Sequence, residues 1–219
     1  MTLEITPITT PFMFNVSVNC YLVRTDGGYV LVDTGRAVER AVISERLAAA
    51  GCVPGTLKLI LLTHGDFDHC GNAAYLRRTF NAPTALHADD VGMVERGDMT
   101  WNRHIGGLMK ALIGLIIRLK PADRFTPDFT LREGDDLTAR GFPARVIELP
   151  GHSKGSVGFL AADGTLFCGD LLANVDKPGL WSIIDDKAAA QASLEKLKRT
   201  PGIGTVYPGH GQPFALRDL

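Results

Sequence analysis

Short apolar runs alternate along the chain with stretches whose apolar residues recur at helical spacing. Residues 13–24 and 28–33 are apolar and β-branched around the letters TDGG, and this pattern predicts a β-hairpin with a glycine turn. The stretch VERAVISERLAAAG has the spacing of a helix that Gly51 ends. Residues 57–63, LKLILLT, form a short continuous apolar run, which is typical of a strand buried on both faces.

The same alternation returns after a largely helical middle. Residues 71–83 and 186–200 have helical spacing, and residues 204–211 read as a last strand running into a loop. Between these helices lie four short strands separated by Gly, Asp and Pro turns, FTL, ARVIELP, SVGFLAA and TLFCGD. This order predicts an α+β fold in which two sheets pack together and helices cover their outer faces.

Composition adds limits to this picture. A chain of 219 residues is long enough for one substantial core, so we expect a single domain over 1–219. The net charge of -1 gives no reason to expect nucleic acid as a partner. The first residues, MTLEITPITTPF, have no basic segment followed by an apolar run, which favours a cytoplasmic location. The four cysteines are far apart and are expected to be reduced.

The most apolar segment is IGGLMKALIGLIIRL, residues 105–119. It is shorter than the roughly 20 residues that cross a bilayer, and Lys110 and Arg118 interrupt it. We therefore predict no membrane partner and a helical insertion at about 88–120. Because aliphatic side chains surround this helix, something must cover it. A substrate lid, a homodimer interface and plain core all remain open.

The positions of the histidines indicate a metal site. Four of the six follow apolar strands in loops rich in glycine or aspartate, where a rigid sheet can present side chains to one point. Imidazole and carboxylate are the ligands of borderline and harder divalent metals, and the set is too large for one ion. The candidate ligands of a two-metal centre are His64, Asp66, Asp68, His69, His152, Asp170 and His210.

The segments around these residues resemble the motifs of the metallo-β-lactamase-fold hydrolases. LVDTG, THGDFDHCGN, LPGHSKGSVGF, LFCGDLL and VYPGHG follow one another in the order and approximate spacing of that family, from about residue 15 to residue 213. The resemblance implies a four-layer αββα sandwich with two metal ions at one edge, between the sheets. It is nearest to the small glyoxalase-type and lactonase-type members.

Carried over position by position, the resemblance implies a role for each residue. Asp170 would bridge the two ions together with a hydroxide, and Asp33 would brace the metal loop by hydrogen bonds from behind the ligands. One ion would be held by His64, Asp66 and His152, and the other by Asp68, His69 and His210.

The sequence departs from the family pattern at Asp66, where the usual HxHxDH motif has its second histidine. A harder, anionic oxygen shifts the first site from zinc, the expected ion, towards iron or manganese. The alternative, that Asp66 binds no ion, stays open. Two divalent ions, three aspartates and a hydroxide sum to zero charge, whereas a histidine at this position would leave +1. We therefore expect anionic substrates to be attracted less than in an all-histidine site.

The function that follows is that of a dinuclear metal-dependent hydrolase acting on a small molecule. A metal-bridging hydroxide would attack an ester, thioester, lactone or related acyl bond, and Asp68 would orient it and pass a proton to the leaving group. Two alternatives stay open: a di-iron oxidoreductase related to flavodiiron proteins, and a non-catalytic metal-binding protein.

Several residues outside the ligand set are candidates for the substrate pocket. His104 could line the pocket with Trp101 and Arg103, or lie on the surface. Lys154 could contact a carbonyl or carboxylate, or be solvated, and Tyr207 could point into the cleft or the core. Cys70 follows His69 directly, but a small buried residue is favoured over a thiol nucleophile.

Overall fold

The computed structural model describes residues 3–13, 16–103, 114 and 117–219. Two sheets form its centre. The first has the order β1-β2-β3-β4-β5-β6, and the second has the order β12-β11-β9-β8-β7 with β10 paired to β9. The strands of the first sheet are β1 Glu4–Pro11, β2 Ser17–Thr25, β3 Gly28–Val32, β4 Leu57–Leu61, β5 Thr84–His87 and β6 Phe129–Leu131. Those of the second are β7 Ala144–Glu148, β8 Val157–Ala161, β9 Leu166–Asn174, β10 Pro178–Leu180, β11 Thr205–Gly211 and β12 Phe214–Ala215.

Five α-helices flank the sheets within the described residues. Strands β1 to β3 are antiparallel, and β3 to β6 run parallel, so helices cross between them as parallel pairing requires. The helices are α1 Arg40–Ala49, α2 Phe67–Cys70, α3 Ala73–Phe80, α4 Val91–Arg96 and α5 Lys187–Arg199.

Alternation along the strands builds the layers. In β2, Leu22 packs on the helix side of the first sheet with Ile43 of α1, whereas Val23 faces the second sheet. In β9, Phe167 joins the core between the sheets and Leu166 packs with the residues of α5. Because successive strand side chains point to opposite faces, apolar strands fill three core layers. The predicted four-layer αββα sandwich is confirmed.

The predicted hairpin and most predicted strands are also confirmed, with two differences. The first sheet begins earlier than predicted, at β1, where only Ile8 and Thr10 are buried and the apolar signal is weak. The middle is not wholly helical, because Thr84–His87 pairs with β4 and β6 as a four-residue strand, too short to show a period.

Most of the apolar segment 105–119 lies outside the described residues, as does His104. Of its described part, Leu119 is buried and Ile117 packs against the core under the helices of the first sheet. Within the described ranges, no helix is long and apolar enough to cross a membrane.

Candidate metal centre

The ends of β3 and β4 are tied together by one carboxylate. Asp33 accepts hydrogen bonds from the Thr63 backbone N–H and hydroxyl, both at 2.8 Å, and lies 3.0 Å from Nδ1 of His69. Its backbone has a φ of 58°, a left-handed conformation that aspartate tolerates better than most residues. Asp33 therefore fixes the loop that begins with His64, as the bracing role implied for it requires.

The short helix α2 follows this loop and sets the positions of Asp66, Asp68 and His69. Asp66 precedes it, and its backbone carbonyl accepts the N–H groups of His69 and Cys70 at 2.9 Å. The Asp66 side chain makes no capping bond to this helix, so its carboxylate is free to face the centre. Asp68 and His69 follow on the first turn and are both buried.

All four motif histidines turn the same ring atom to the centre. The Nδ1 atom of His64 lies 2.9 Å from the Thr63 hydroxyl, and that of His69 lies beside Asp33. The Nδ1 atoms of His152 and His210 each lie 2.6 Å from a backbone carbonyl, of Ile183 and Ser17 respectively. A carbonyl or an ionised carboxylate has no proton to donate, so Nδ1 of His69, His152 and His210 carries the ring proton. The Thr63 hydroxyl gives its own proton to Asp33 and therefore accepts from Nδ1 of His64. In all four rings the Nε2 lone pair is left for a ligand.

The Nε2 atoms and carboxylates form two groups. In the first, Oδ2 of Asp66 lies 3.7 Å from Nε2 of His64 and 2.8 Å from Nε2 of His152. In the second, Oδ2 of Asp68 lies 3.7 Å from Nε2 of His69 and 3.6 Å from Nε2 of His210. The structure thus brings together the same two triads of residues that the resemblance assigns to the two ions.

Asp170 lies between the triads. One of its carboxylate oxygens is 3.2 Å from Nε2 of His69, and the other is 3.1 Å from Nε2 of His210. The second oxygen is also 4.0 Å from Nε2 of His64 and 3.8 Å from Nε2 of His152. A single carboxylate thus reaches both groups, which is the position predicted for a bridging ligand.

The buried atoms that lack hydrogen-bond partners at this site are of the kinds that bind metal ions. Nε2 of His64 and of His69, Oδ1 of Asp66 and Oδ1 of Asp170 are buried, and none has a hydrogen-bond partner among the described residues. An unpaired buried polar atom is costly and rare in a native protein. Four of them in one nitrogen and oxygen cluster match the donor set of divalent cations such as zinc, iron and manganese.

The environment drives the two aspartates of the metal loop in opposite directions. Burial opposes ionisation of Asp66, but the Arg103 guanidinium and the His152 ring outweigh it and hold the pKa of Asp66 well below its usual value. Burial raises the pKa of Asp68, and the charges of Asp170 and Asp66 add to that rise. A pair of carboxyl groups pushed apart in this way is typical of a fixed anion beside a proton carrier.

A cavity of about 340 Å³ opens onto the triads. His210, in its wall, is stacked with Trp181 at 4.7 Å between ring centres, and Phe12 lies 5.2 Å away. The polar residues of the wall are five ligand candidates together with Thr100, Arg103 and Asp185. Its apolar residues are Phe12, Met13, Phe67, Met99, Ile117, Trp181, Ile183 and Ile184.

Of the predicted pocket residues that the structure describes, Arg103 lies in the cavity wall, and Trp101, Lys154 and Tyr207 do not. Trp101 lies outside the cavity wall, with the Arg96 guanidinium 3.8 Å from its ring centre. Lys154 is exposed, with Nζ 3.7 Å from an Asp89 carboxylate oxygen, so it is solvated rather than in the cavity. Tyr207 packs in the core between the sheets, 5.3 Å from the ring of Tyr21. The strand alternation of β11 sends Tyr207 inward, away from the cleft.

Cys70 is fully buried, and its thiol donates to the Gly65 carbonyl at 3.3 Å. Burial raises the pKa of Cys70 well above its usual value, with the charges of Asp66 and Asp68 acting in the same direction. The group is therefore a neutral thiol near neutral pH, in agreement with the buried structural role that the sequence favours.

Sequence reasoning missed the residue that joins the loops. Asp90 is fully buried, and one of its oxygens accepts from Gly65 N–H at 3.0 Å and from the Ser153 hydroxyl at 2.6 Å. Its other oxygen accepts from Gly155 N–H and from the Asn102 side chain, both at 2.9 Å. The only signal in the sequence was the pair of adjacent aspartates in HADD. The partners of Asp90 are distant in the chain, so the sequence alone does not reveal them.

Comparisons with known proteins agree with this geometry. The family model described as the metallo-beta-lactamase superfamily matches residues 14–210. The probable metallo-hydrolase YqgX of Bacillus subtilis is 28% identical over 90% of this chain and 86% of its own length. A hydroxyacylglutathione hydrolase of Xanthomonas campestris is 29% identical over 89% of this chain, which spans 60% of that relative. The crystal structure of TTHA1623 in a di-iron-bound form has 32% identity and a TM-score of 0.70, covering 97% of this chain and 95% of that one.

Proposed function

The chain belongs to the metallo-β-lactamase superfamily, and from that premise we propose that it is a dinuclear metal-dependent hydrolase. Its substrate would be a small ester, thioester or lactone with an apolar acyl part. The observation that carries the proposal is the convergence of two histidine and aspartate triads, joined by Asp170, on the wall of an apolar cavity.

The triads would hold the ions, with His64, Asp66 and His152 at the first and Asp68, His69 and His210 at the second. Two divalent ions bound there would polarise the scissile carbonyl and acidify a water molecule. Zinc is the expected ion. Iron and manganese are alternatives, because Asp66 offers a hard oxygen and TTHA1623 was crystallised in a di-iron-bound form.

The chain's own residues supply the proton transfer. Asp68 is buried in the cavity wall beside the second triad, in position to take a proton at one of its oxygens and give it to the leaving group. Asp66 and Asp170 remain ionised, because their pKa values are held well below the usual range despite burial.

The cavity wall indicates the kind of acyl group. Phe12, Phe67 and Ile184 offer apolar surface next to the triads and exclude water from the acyl chain. The carboxylate of Asp185 adds negative charge to the same wall, which disfavours an anionic acyl group. Uncharged acyl chains are therefore favoured over acidic ones, and a glutathione thioester, suggested by the relatives' names, is the thioester to test.

The test is a substrate panel on protein of known metal content. It comprises p-nitrophenyl esters of two-, four- and eight-carbon acids, a lactone, an S-acylglutathione and a phosphoester, each with and without a chelator. We expect kcat/KM to rise with acyl length, activity to be lost with the chelator, and the phosphoester to be inert.

The matched variants are Asp68→Asn and, as a control for the same change at an exposed position, Asp176→Asn. Asp68→Asn is expected to lower kcat by about 10²–10⁴-fold, the usual worth of a proton-transfer group, and Asp176→Asn to leave it unchanged. Turnover that survives chelation would contradict the proposal. Protein that holds two ions but hydrolyses no member of the panel would support the non-catalytic alternative.

A second candidate is oxidoreductase chemistry at a di-iron centre. Two observations favour it: the carboxylate at Asp66 and the di-iron-bound structure of a 32% identical protein. Protein purified with iron, absorbing visible light and consuming oxygen when given an external electron donor, would support this function. A colourless zinc protein that hydrolyses esters would exclude it.

A further inference from the structure

We propose that Arg103 is the charge partner of Asp66, so that the two side chains together replace the neutral histidine of the usual motif. Arg103 is a positioning residue in this proposal, acting on the first metal site through Asp66. The inference rests on the proposed metal centre and adds to it a residue that the ligand motifs do not contain.

The contact between the two side chains is short and shielded from water. Nη2 of Arg103 lies 2.6 Å from Oδ2 of Asp66, and the two side chains are only 14% and 12% exposed. The same oxygen lies 2.8 Å from Nε2 of His152. Because an arginine does not lose its proton in a protein, this oxygen carries a permanent positive neighbour at the position where a ligand is required.

Arg103 is held in place by the loops that carry the ligands. The neighbouring Asn102 donates from its side chain to the Asp89 carbonyl at 2.6 Å and to the Asp90 carboxylate at 2.9 Å. Asp90 in turn accepts from Gly65 N–H, beside Asp66, and from the Ser153 hydroxyl, beside His152. Arg103 therefore follows directly after a residue that is hydrogen-bonded to the loops of the first triad, and the burial of its side chain sets the ion pair apart from a surface pair.

Arg103 compensates the charge that Asp66 adds to the ligand set. An aspartate in place of a histidine adds one negative charge to the ligand set, and a guanidinium on the same oxygen adds one positive charge. With Arg103 counted, the expected sum for two divalent ions, three aspartates and a hydroxide rises from zero to +1. This is the sum of a site with a histidine at position 66, so the pair restores the charge of the ligand set. The carboxylate of Asp185 in the same cavity wall still disfavours anionic substrates.

The test is a double-mutant cycle on metal binding, using Asp66→His, Arg103→Met and the double variant. Methionine retains the apolar stem of arginine without its charge. Competition with a chromophoric chelator measures the Zn²⁺ affinity of the weaker-bound and of the tighter-bound ion. Co²⁺ absorption reports the ligand geometry. The melting temperature of the metal-free protein reports whether each variant is folded. Arg145→Met, at an exposed position on β7, controls for loss of an arginine.

In Asp66→His, Arg103 faces a neutral ring and a cation, so we expect one of the two ions to bind about tenfold or more weakly. Removing the arginine as well should restore that affinity, giving a double variant close to the parent. Arg103→Met alone should lower the melting temperature of the metal-free protein, because it leaves a buried carboxylate without its partner. Arg145→Met should change neither quantity.

Equal ion affinities of Asp66→His and the double variant, both folded, would overturn the inference. This outcome is distinct from a failure of the proposed function. Protein that hydrolyses esters without coupling between the two positions would refute the role of Arg103 alone. Protein that shows the coupling but hydrolyses nothing would refute the hydrolase and leave the Arg103 pairing supported.

Discussion

Asp33 braces the metal centre from behind the ligands. Its two oxygens take three hydrogen bonds, from two groups of Thr63 and from His69, and so fix the start of the metal loop and one ligand ring together. Hydrogen bonds of this kind, made behind a ligand, orient it and raise its basicity.

Asp33→Asn removes one acceptor while retaining the shape and the tolerance for a left-handed backbone. Three donors cannot all be satisfied by one amide oxygen, so the ring of His69 loses its fixed orientation. We expect metal affinity to fall by about 10–100-fold, measured by competition with a chromophoric chelator. The control is Asp26→Asn, in the exposed turn between β2 and β3. An unchanged affinity in Asp33→Asn would show that His69 does not depend on this contact.

At this scale, the sequence predicts residues whose role follows from their place at a strand end. His64 follows β4 and His210 lies near the end of β11, and the strand ends bring both to one edge. Arg103 and Asp90 could not be assigned in the same way. Their roles depend on how residues 98–103 fold back over the loops, which no periodicity in the chain records.

At the scale of elements, β9 and β11 are neighbouring strands that each bring one residue to the centre. They pair in parallel with register shifts at Pro208, and Asp170 and His210 lie on them. Gly209 makes this approach possible, because a Cβ there would collide with a carboxylate oxygen of Asp170 and lie 2.7 Å from Cε1 of His69.

Gly209→Ala is therefore expected to displace Asp170 and His69 and to abolish most metal binding, with a loss of about tenfold or more in affinity. The matched control is Gly179→Ala on β10, where an added Cβ meets nothing within 4 Å among the described residues. Zn²⁺ titration of both variants checks the prediction. Equal Zn²⁺ affinities of Gly209→Ala and Gly179→Ala would mean that the two strands can move apart without weakening metal binding.

Asp90 connects three loops, and its loss is a prediction about their stability. Asp90→Ala leaves two buried backbone N–H groups, of Gly65 and Gly155, without their acceptor. Each unsatisfied buried donor costs about 1–3 kcal/mol, so we expect the free energy of unfolding to fall by about 2–6 kcal/mol in urea. The neighbouring Asp89→Ala is the control, since its side chain is 42% exposed. A change in Asp90→Ala no larger than in Asp89→Ala would contradict this role.

The strands that could be predicted from the sequence are those with a long run of apolar residues. Continuous runs such as LKLILLT gave strands buried on both faces, because such runs fit little else in a short segment. Strands β1 and β5 escaped prediction for physical reasons. In β1 most side chains are exposed or only partly buried, and β5 is four residues long and held by its neighbours' backbone.

At the scale of the whole molecule, the metal centre is where both sheets meet, so its electrostatics enter global stability. Burial lowers the pKa values of His69, His152 and His210, but their aspartate neighbours outweigh it and raise all three above the ordinary value of 6.5. Burial, reinforced by the neighbouring histidines, lowers the pKa of His64. In metal-free protein, we therefore expect these three rings to keep their protons to a higher pH than a free imidazole does.

The sign of the pH dependence follows from linkage. A histidine whose pKa is raised by folding stabilises the fold below its unfolded value near 6.5, and this contribution is lost as pH rises through the folded value. The lowered pKa of His64 acts in the opposite direction, but three groups outnumber one. Metal-free protein should therefore melt at a lower temperature at pH 8 than at pH 6.

Bound ions should reverse this loss, because they replace the protons and bind better as the rings deprotonate. At free metal about 1,000 times Kd, one site contributes about 4 kcal/mol, which corresponds to a rise in Tm on the order of 10 °C for a chain of this size. The measurement is melting with and without chelator at pH 6, 7 and 8, with reloading by Zn²⁺ as the control. We expect the gap between the two forms to widen with pH. A gap that is constant or narrows would mean that protons on these rings do not substitute for the ions, and that the buried carboxylates are balanced in some other way.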